Sequence, residues 1–259
     1  MCGRFANAED VKFVAIRFSA DVDAEVETWK PTWNAAPTQR LPVVTQDATG
    51  RHLGLMRWGW PIGFKPGIHV NAIGETARDK KSFAAAYRTR RCIVPASAFY
   101  EWRAAGPSGQ EPKLKLPWAF QVEGGALFGI AALWQPIEVG GKTVPGFLLL
   151  TTVANRVVAP VHHRMAAILP RVAEGVWLDP ATPLDALDDL MVPLDPQVMS
   201  AHRVSPQVNR VVADGVAVDG PELLKAVSDD PAKAAMPAPG SDPADPPRDP
   251  LEDQESIPW

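Results

Sequence analysis

An α+β domain built on a curled, mainly antiparallel sheet with a barrel-like core and short flanking helices is the fold class this sequence predicts. Three observations carry that expectation. Strand-like runs outnumber helical stripes, the two do not alternate as a doubly wound sheet requires, and no internal repeat divides the chain. With 259 residues, 46% of them hydrophobic and 22% charged, the chain can bury one sizeable core.

The elements follow in order. Asn7 reads as the N-cap of a first helix, with Glu9 and Asp10 in its first turn and Val11, Val14, Ala15 and Phe18 as its apolar stripe. Short β-branched and aromatic runs predict strands over 41–45, 52–58, 92–95, 118–122, 127–134 and 147–152. Helical pieces fall at 82–90, 171–178 and 184–191. The domain is expected to span 1–228. Residues 229–259 hold eight Asp or Glu, two Lys or Arg and eight Pro, a composition that predicts a disordered acidic tail.

Charge is unevenly spread. The formal net charge is -4, and removing the tail's -6 leaves about +2 for residues 1–228. Arg78, Lys80, Lys81, Arg88, Arg90 and Arg91 crowd into 14 residues with Asp79 as the one acid. Such a run suits either phosphate contacts or a solvated helix face. No stretch approaches the ~18 apolar residues of a membrane span, and the start lacks a cationic segment followed by an apolar one, so a cytoplasmic protein without membrane contact is expected. Cys2 and Cys92 are the two cysteines, and neither CxxC nor Cys/His spacing occurs. No disulfide, metal or cofactor is expected.

The chemistry-bearing residues begin at Cys2. Loss of Met1 would expose a 1,2-aminothiol, whose amine titrates near pH ~8 and whose thiol near ~8.5. The amine can condense with an aldehyde and the thiol can close onto the imine carbon, giving a five-membered thiazolidine without a second encounter. Cys2 could equally be no more than an early residue on a tucked-in terminus. Glu101, set among Phe99, Tyr100 and Trp102, has the apolar neighbours that raise a carboxyl pKa for acid/base work, unless it faces solvent or pairs with Arg103. His162 and His163 precede an apolar run, and adjacent histidines point in different directions, so a two-His metal site is not expected. The segments around Asn34 and Asn71 could be turns.

Together these residues are more specific than any one of them. Cys2-Gly3-Arg4-Phe5, Asn34-Ala35-Ala36-Pro37, Arg57-Trp58-Gly59, Asn71-Ala72 with Glu75-Thr76, Phe99-Tyr100-Glu101-Trp102 and His162-His163-Arg164-Met165 occur in one order. In that order the chain resembles the SOS response-associated peptidase family of abasic-site shielding proteins over roughly 2–210, with Val204-Ser205 and Val208-Asn209 as its closing segment.

The resemblance implies a monomer that binds single-stranded DNA and captures the ring-opened aldehyde of an abasic deoxyribose on Cys2 after Met1 is removed. It implies that Asn71 positions the new amine and that Glu101 shuttles protons in imine formation, in sugar ring opening and in loss of Met1. His162 would be the acid/base partner at the sugar and assist reversal, and Thr151 a supporting pocket residue. Arg4, Asn34, Pro37, Arg78 and Lys81 are expected on the DNA face, with Trp58, Trp60 and Phe64 stacking on unpaired bases at roughly 1–3 kcal/mol each. Ile73 stands where the family commonly has an arginine, removing a phosphate contact, and Ala166 where it commonly has proline. Other classes explain Cys2 alone: an N-terminal-nucleophile amidohydrolase, a conventional peptidase using Cys2, His162 and Glu101, or a binder without chemistry.

Overall fold

A computed structural model describes residues 2–62, 65–104 and 115–227. The expected acidic tail and the expected base-stacking residue Phe64 lie outside the described residues.

Five strands close on themselves. The strands Arg40–Asp47 and Gly50–Trp58 form a hairpin, and Arg91–Ala96 pairs antiparallel with the first of them through Val44 and Ile93. The long strands Phe128–Val139 and Lys142–Val153 form a second hairpin whose first strand pairs with Arg91–Ala96. Parallel pairing of Gly146 with Arg57 and of Phe147 with Trp58 then joins the last strand to the first hairpin, closing the barrel-like core that the sequence predicts. The second hairpin runs further than the expected 127–134 and 147–152. Gly140 and Gly141, both at positive φ, make the tight primed-type turn that lets its strands continue to Val139 and Lys142.

A second, antiparallel sheet runs in the order Met199–Arg203, Lys115–Val122, Ala98–Ala104, Arg4–Asn7 and Thr32–Ala35. The chain turns from barrel to second sheet at Ser97. Its backbone N–H donates to Ala6 O at 2.8 Å and its hydroxyl accepts from Ala8 N at 3.1 Å. That corner sets the amino-terminal strand beside Ala98–Ala104, with Arg4 opposite Tyr100 and Phe5 opposite Phe99.

Apolar packing fixes this junction. Phe5 lies 5.1 Å from Trp58, Trp58 stacks on Phe147 at 6.1 Å and 9°, and Phe99 stacks on Phe120 at 5.0 Å. All five rings are buried, as is Cys2 in the same cluster. Aromatic pairs of this kind contribute about 0.5–1.5 kcal/mol beyond their buried area.

The first helix is Val11–Phe18, and its stripe Val11, Val14 and Phe18 is buried as its spacing requires. Its cap is Asp10, whose carboxylate accepts from Phe13 N at 2.9 Å, rather than the expected Asn7. Asn7 is still paired in the amino-terminal strand, opposite Thr32, so the chain cannot turn into a helix there. The helices Ala84–Thr89, Glu174–Leu178 and Leu184–Asp188 fall within the expected helical stretches. Among the described residues no helix is long and apolar enough to cross a membrane.

Candidate active site

The amino-terminal strand delivers Cys2 to the junction between barrel and second sheet. Cys2 is fully buried, and its thiol lies 3.7 Å from Arg4 O. Asn71 opens the short strand Asn71–Ile73, which pairs parallel with Lys142–Val153 through Leu149. From there its Nδ2 donates to Cys2 O at 2.9 Å, while its Oδ1 is buried without an acceptor's partner among the described residues. The same grip that holds Cys2 in place thus leaves an acceptor beside it.

Glu101 reaches this site from the second sheet. Arg4 pairs with Tyr100, so the next residue, Glu101, sits beyond Arg4 on the Cys2 side. It is 2% exposed, and burial pushes its carboxyl up to about 7 against the pull of the chain's positive amino terminus and of Lys115. The alternative pairing of Glu101 with Arg103 does not occur, since the Arg103 guanidinium lies over Trp118 at 5.6 Å. Burial, and after it the negative charge of Glu101, push the Cys2 thiol well above its ordinary range. The expectation of a thiol titrating near ~8.5 is therefore corrected: desolvation keeps this sulfur protonated at neutral pH.

The third group lies at the end of Lys142–Val153. Thr151 pairs with Ile73 on one side and Ala166 on the other, tying the Asn71 strand to the segment after His162. The His162 Nδ1 lies 3.0 Å from both the backbone N and the backbone O of Arg164, which fixes the orientation of the ring. The exposed His163 ring stacks on it at 4.5 Å.

Arg164 binds Glu75 through two bonds of 3.0 and 2.6 Å and Thr151 O at 2.7 Å. Glu75 also accepts from Thr152 Oγ1 and Val153 N, each at 3.1 Å. The sequence displays both residues within its motifs, but their partnership across 89 positions has no local signal.

The expected DNA-facing residues separate into different environments. Trp58 and Trp60 are corrected to core: both are buried, and their indole N–H groups donate to Val70 O and Gly146 O at 2.9 Å. Neither offers a face to a base. Arg78 is held by Asp185 and Asp188 at 2.6 Å each, and Arg91 is buried among backbone carbonyls, so the basic run does not form one cationic patch. Lys81 is exposed and Pro37 half-buried. Arg4 donates to Asn34 Oδ1 and Val208 O at 2.7 Å each, and Asn34 Nδ2 to Arg210 O and Val218 O at 2.8 Å. These two residues fasten the closing segment onto the amino-terminal strand.

Residues 1–211 match the model of the family described as SOS response associated peptidase (SRAP). The chain is 32% identical over 219 residues to the abasic site processing protein YoqW of Bacillus subtilis, covering 81% of this chain and 94% of that one. It is 26% identical over 184 residues to the abasic site processing protein YedK of Escherichia coli, covering 69% and 79%. A crystal structure of a Bacteroides thetaiotaomicron protein superimposes with a TM-score of 0.73 at 21% identity, covering 88% of this chain and all of that one, and shares the fold.

Proposed function

The chain belongs to the SOS response associated peptidase family, and from that premise we propose that it captures abasic sites in single-stranded DNA as a thiazolidine on Cys2. The observation that carries this reading is the convergence on Cys2 of a buried amide, Asn71, and a carboxyl held at about 7, Glu101. The names of the relatives support the lesion, since YoqW and YedK are both abasic site processing proteins.

Removal of Met1 frees the Cys2 amine. That amine attacks the aldehyde carbon of the ring-opened deoxyribose, and the carbinolamine loses water to give an imine. A carboxyl near 7 is present in both forms at neutral pH, so Glu101 can protonate the departing hydroxyl and then take the proton of the Cys2 thiol. The sulfur bonds to the imine carbon, the proton passes to nitrogen, and the ring closes with a net loss of one water. The raised thiol argues for this sequence: amine first, sulfur second, with its proton leaving as the bond forms. His162, with its ring held at Nδ1 by the Arg164 backbone, suits the sugar oxygen during ring opening, and Asn71 Oδ1 suits an N–H of the new amine. In this reading Glu101 also assists loss of Met1.

Intact-protein mass spectrometry under denaturing conditions tests the reading, after incubation with a single-stranded oligonucleotide carrying one abasic site. The expected product is the chain without Met1 plus the oligonucleotide less one water. Cys2→Ala is expected to lose the adduct and keep most noncovalent binding. An undiminished adduct in that variant overturns the chemistry. Mature wild-type protein with no adduct, together with turnover of small amides, would establish the amidohydrolase instead.

A further inference from the structure

The second sheet carries a row of side chains beyond Glu101 that the reaction above leaves unused. Glu101 pairs directly with Trp118, and Trp118 with Arg203, so the three share one face of three adjacent strands. Arg103, two residues beyond Glu101, is on that face too, with its guanidinium carbon 5.6 Å from the centre of the Trp118 ring. A guanidinium stacked this way keeps its in-plane N–H groups for an acceptor.

Among the described residues Arg103 makes no hydrogen bond or ion pair, in contrast to Arg17, Arg40, Arg78 and Arg164, each held by a carboxylate. Trp118 Nε1 is a buried donor with no acceptor among the described residues, a deficit that a ligand oxygen would relieve. Lys115, at the start of the Trp118 strand, lies close enough to Glu101 to influence its proton.

We propose that Arg103, laid on Trp118 and flanked by Arg203 and Lys115, seats the phosphodiester next to the abasic sugar as that sugar enters over Glu101. This rests on the function proposed above. The row supplies an edge-on fork for two phosphate oxygens beside the proton-transferring carboxyl, whereas in the basic run of 78–91 Arg78 is held by two carboxylates and Arg91 is buried.

The test is fluorescence anisotropy of an undamaged single-stranded oligonucleotide over a salt series. Arg103→Gln with Arg203→Gln is expected to weaken binding at least tenfold at low salt and to reduce the slope of log K against log salt by about 0.7, the share of the one phosphate the row seats on a single strand. Arg78→Gln is expected to leave the slope unchanged, and Trp118→Phe to weaken binding while keeping the ring. Arg103→Lys is expected to restore most of the slope. Reaction with free 2-deoxyribose, which has no phosphate, reports separately on the Cys2 site and is expected to proceed in every one of these variants. A wild-type slope in the double variant overturns the proposal. So does a double variant that fails with free 2-deoxyribose, since the row would then serve the fold or the chemistry. If the slope falls as expected and even the wild-type chain gives no adduct with deoxyribose or abasic DNA, the phosphate seat stands and the crosslinking reading falls.

Discussion

Burial raises the carboxyl of Glu101, the one carboxylate in the strands of the second sheet, and the consequence is measurable without DNA. The folded chain holds a proton on Glu101 up to about pH 7, whereas in the unfolded chain the carboxyl returns to its usual 4.5. The folded state binds the extra proton, so this group's contribution falls as pH rises from 4.5 towards 7, and above 7 the full cost of about 3 kcal/mol is present. Glu101→Gln removes the titration. The variant is expected to match wild type in thermal melts at pH 4 and to exceed it by several degrees at pH 8, while losing the crosslink. A gap that stays constant with pH would mean that Glu101 ionises normally in the fold. Short motifs in the sequence singled out Cys2, Asn71 and Glu101, and the fold brings these three together. Environment was not legible: nothing local distinguishes Trp58, locked to Val70 O, from an indole offered to a base, or reveals that the Cys2 thiol is desolvated.

At the scale of elements, the Arg164–Glu75 pair holds three pieces together. Glu75 lies in the one-turn helix Gly74–Ala77, directly after the Asn71 strand, and Arg164 in the short strand that follows His162. Their bidentate contact, with Thr151 O as a third partner, fixes both pieces to the end of Lys142–Val153. Glu75→Ala leaves the half-buried Arg164 without its carboxylate, and a loss of about 1–3 kcal/mol in denaturant unfolding is expected. Crosslink yield should fall with it, because Asn71 and His162 flank the released pieces. Unchanged stability would reduce the pair to a surface contact. The five barrel strands were readable from their β-branched and aromatic runs, the long hairpin underestimated only where Val139-Gly140-Gly141-Lys142 carries it past the apolar stretch, whereas of the second sheet only Lys115–Val122 was among the expected strands. The helix cap moved from Asn7 to Asp10 because strand pairing outlasts the local capping preference. Parallel closure at Gly146 and Phe147 had no sequence signal, since it joins strands some 90 residues apart.

At the scale of the whole molecule, the boundary between domain and tail becomes a stability argument. The 3-10 turn Pro221–Leu224 packs Leu223, fully buried, into a cluster with Ala6, Tyr100 and Val208. Beyond it His202 Nε2 lies 2.7 Å from Leu224 O, and Val227 N donates to Arg203 O at 3.0 Å. Asp219 itself accepts from Thr32 Oγ1 and Trp33 N, so a chain cut at that position would keep this anchor and lose everything it precedes. We expect a chain ending at Asp219 to lose at least about 2–4 kcal/mol, the scale of a vacated leucine site, and a chain ending at Val227 to melt with the full-length protein. The chain ending at Val227 also isolates electrostatics. It removes eight acids and two bases, taking the formal charge from -4 to +2, so its affinity for single-stranded DNA should exceed that of the full chain at low salt and converge with it as salt screens both. Equal affinities for the two chains at every salt concentration would show that the acidic residues beyond 227 exert no field on the DNA-binding face, and would leave the cations of the second sheet as the charge that DNA encounters.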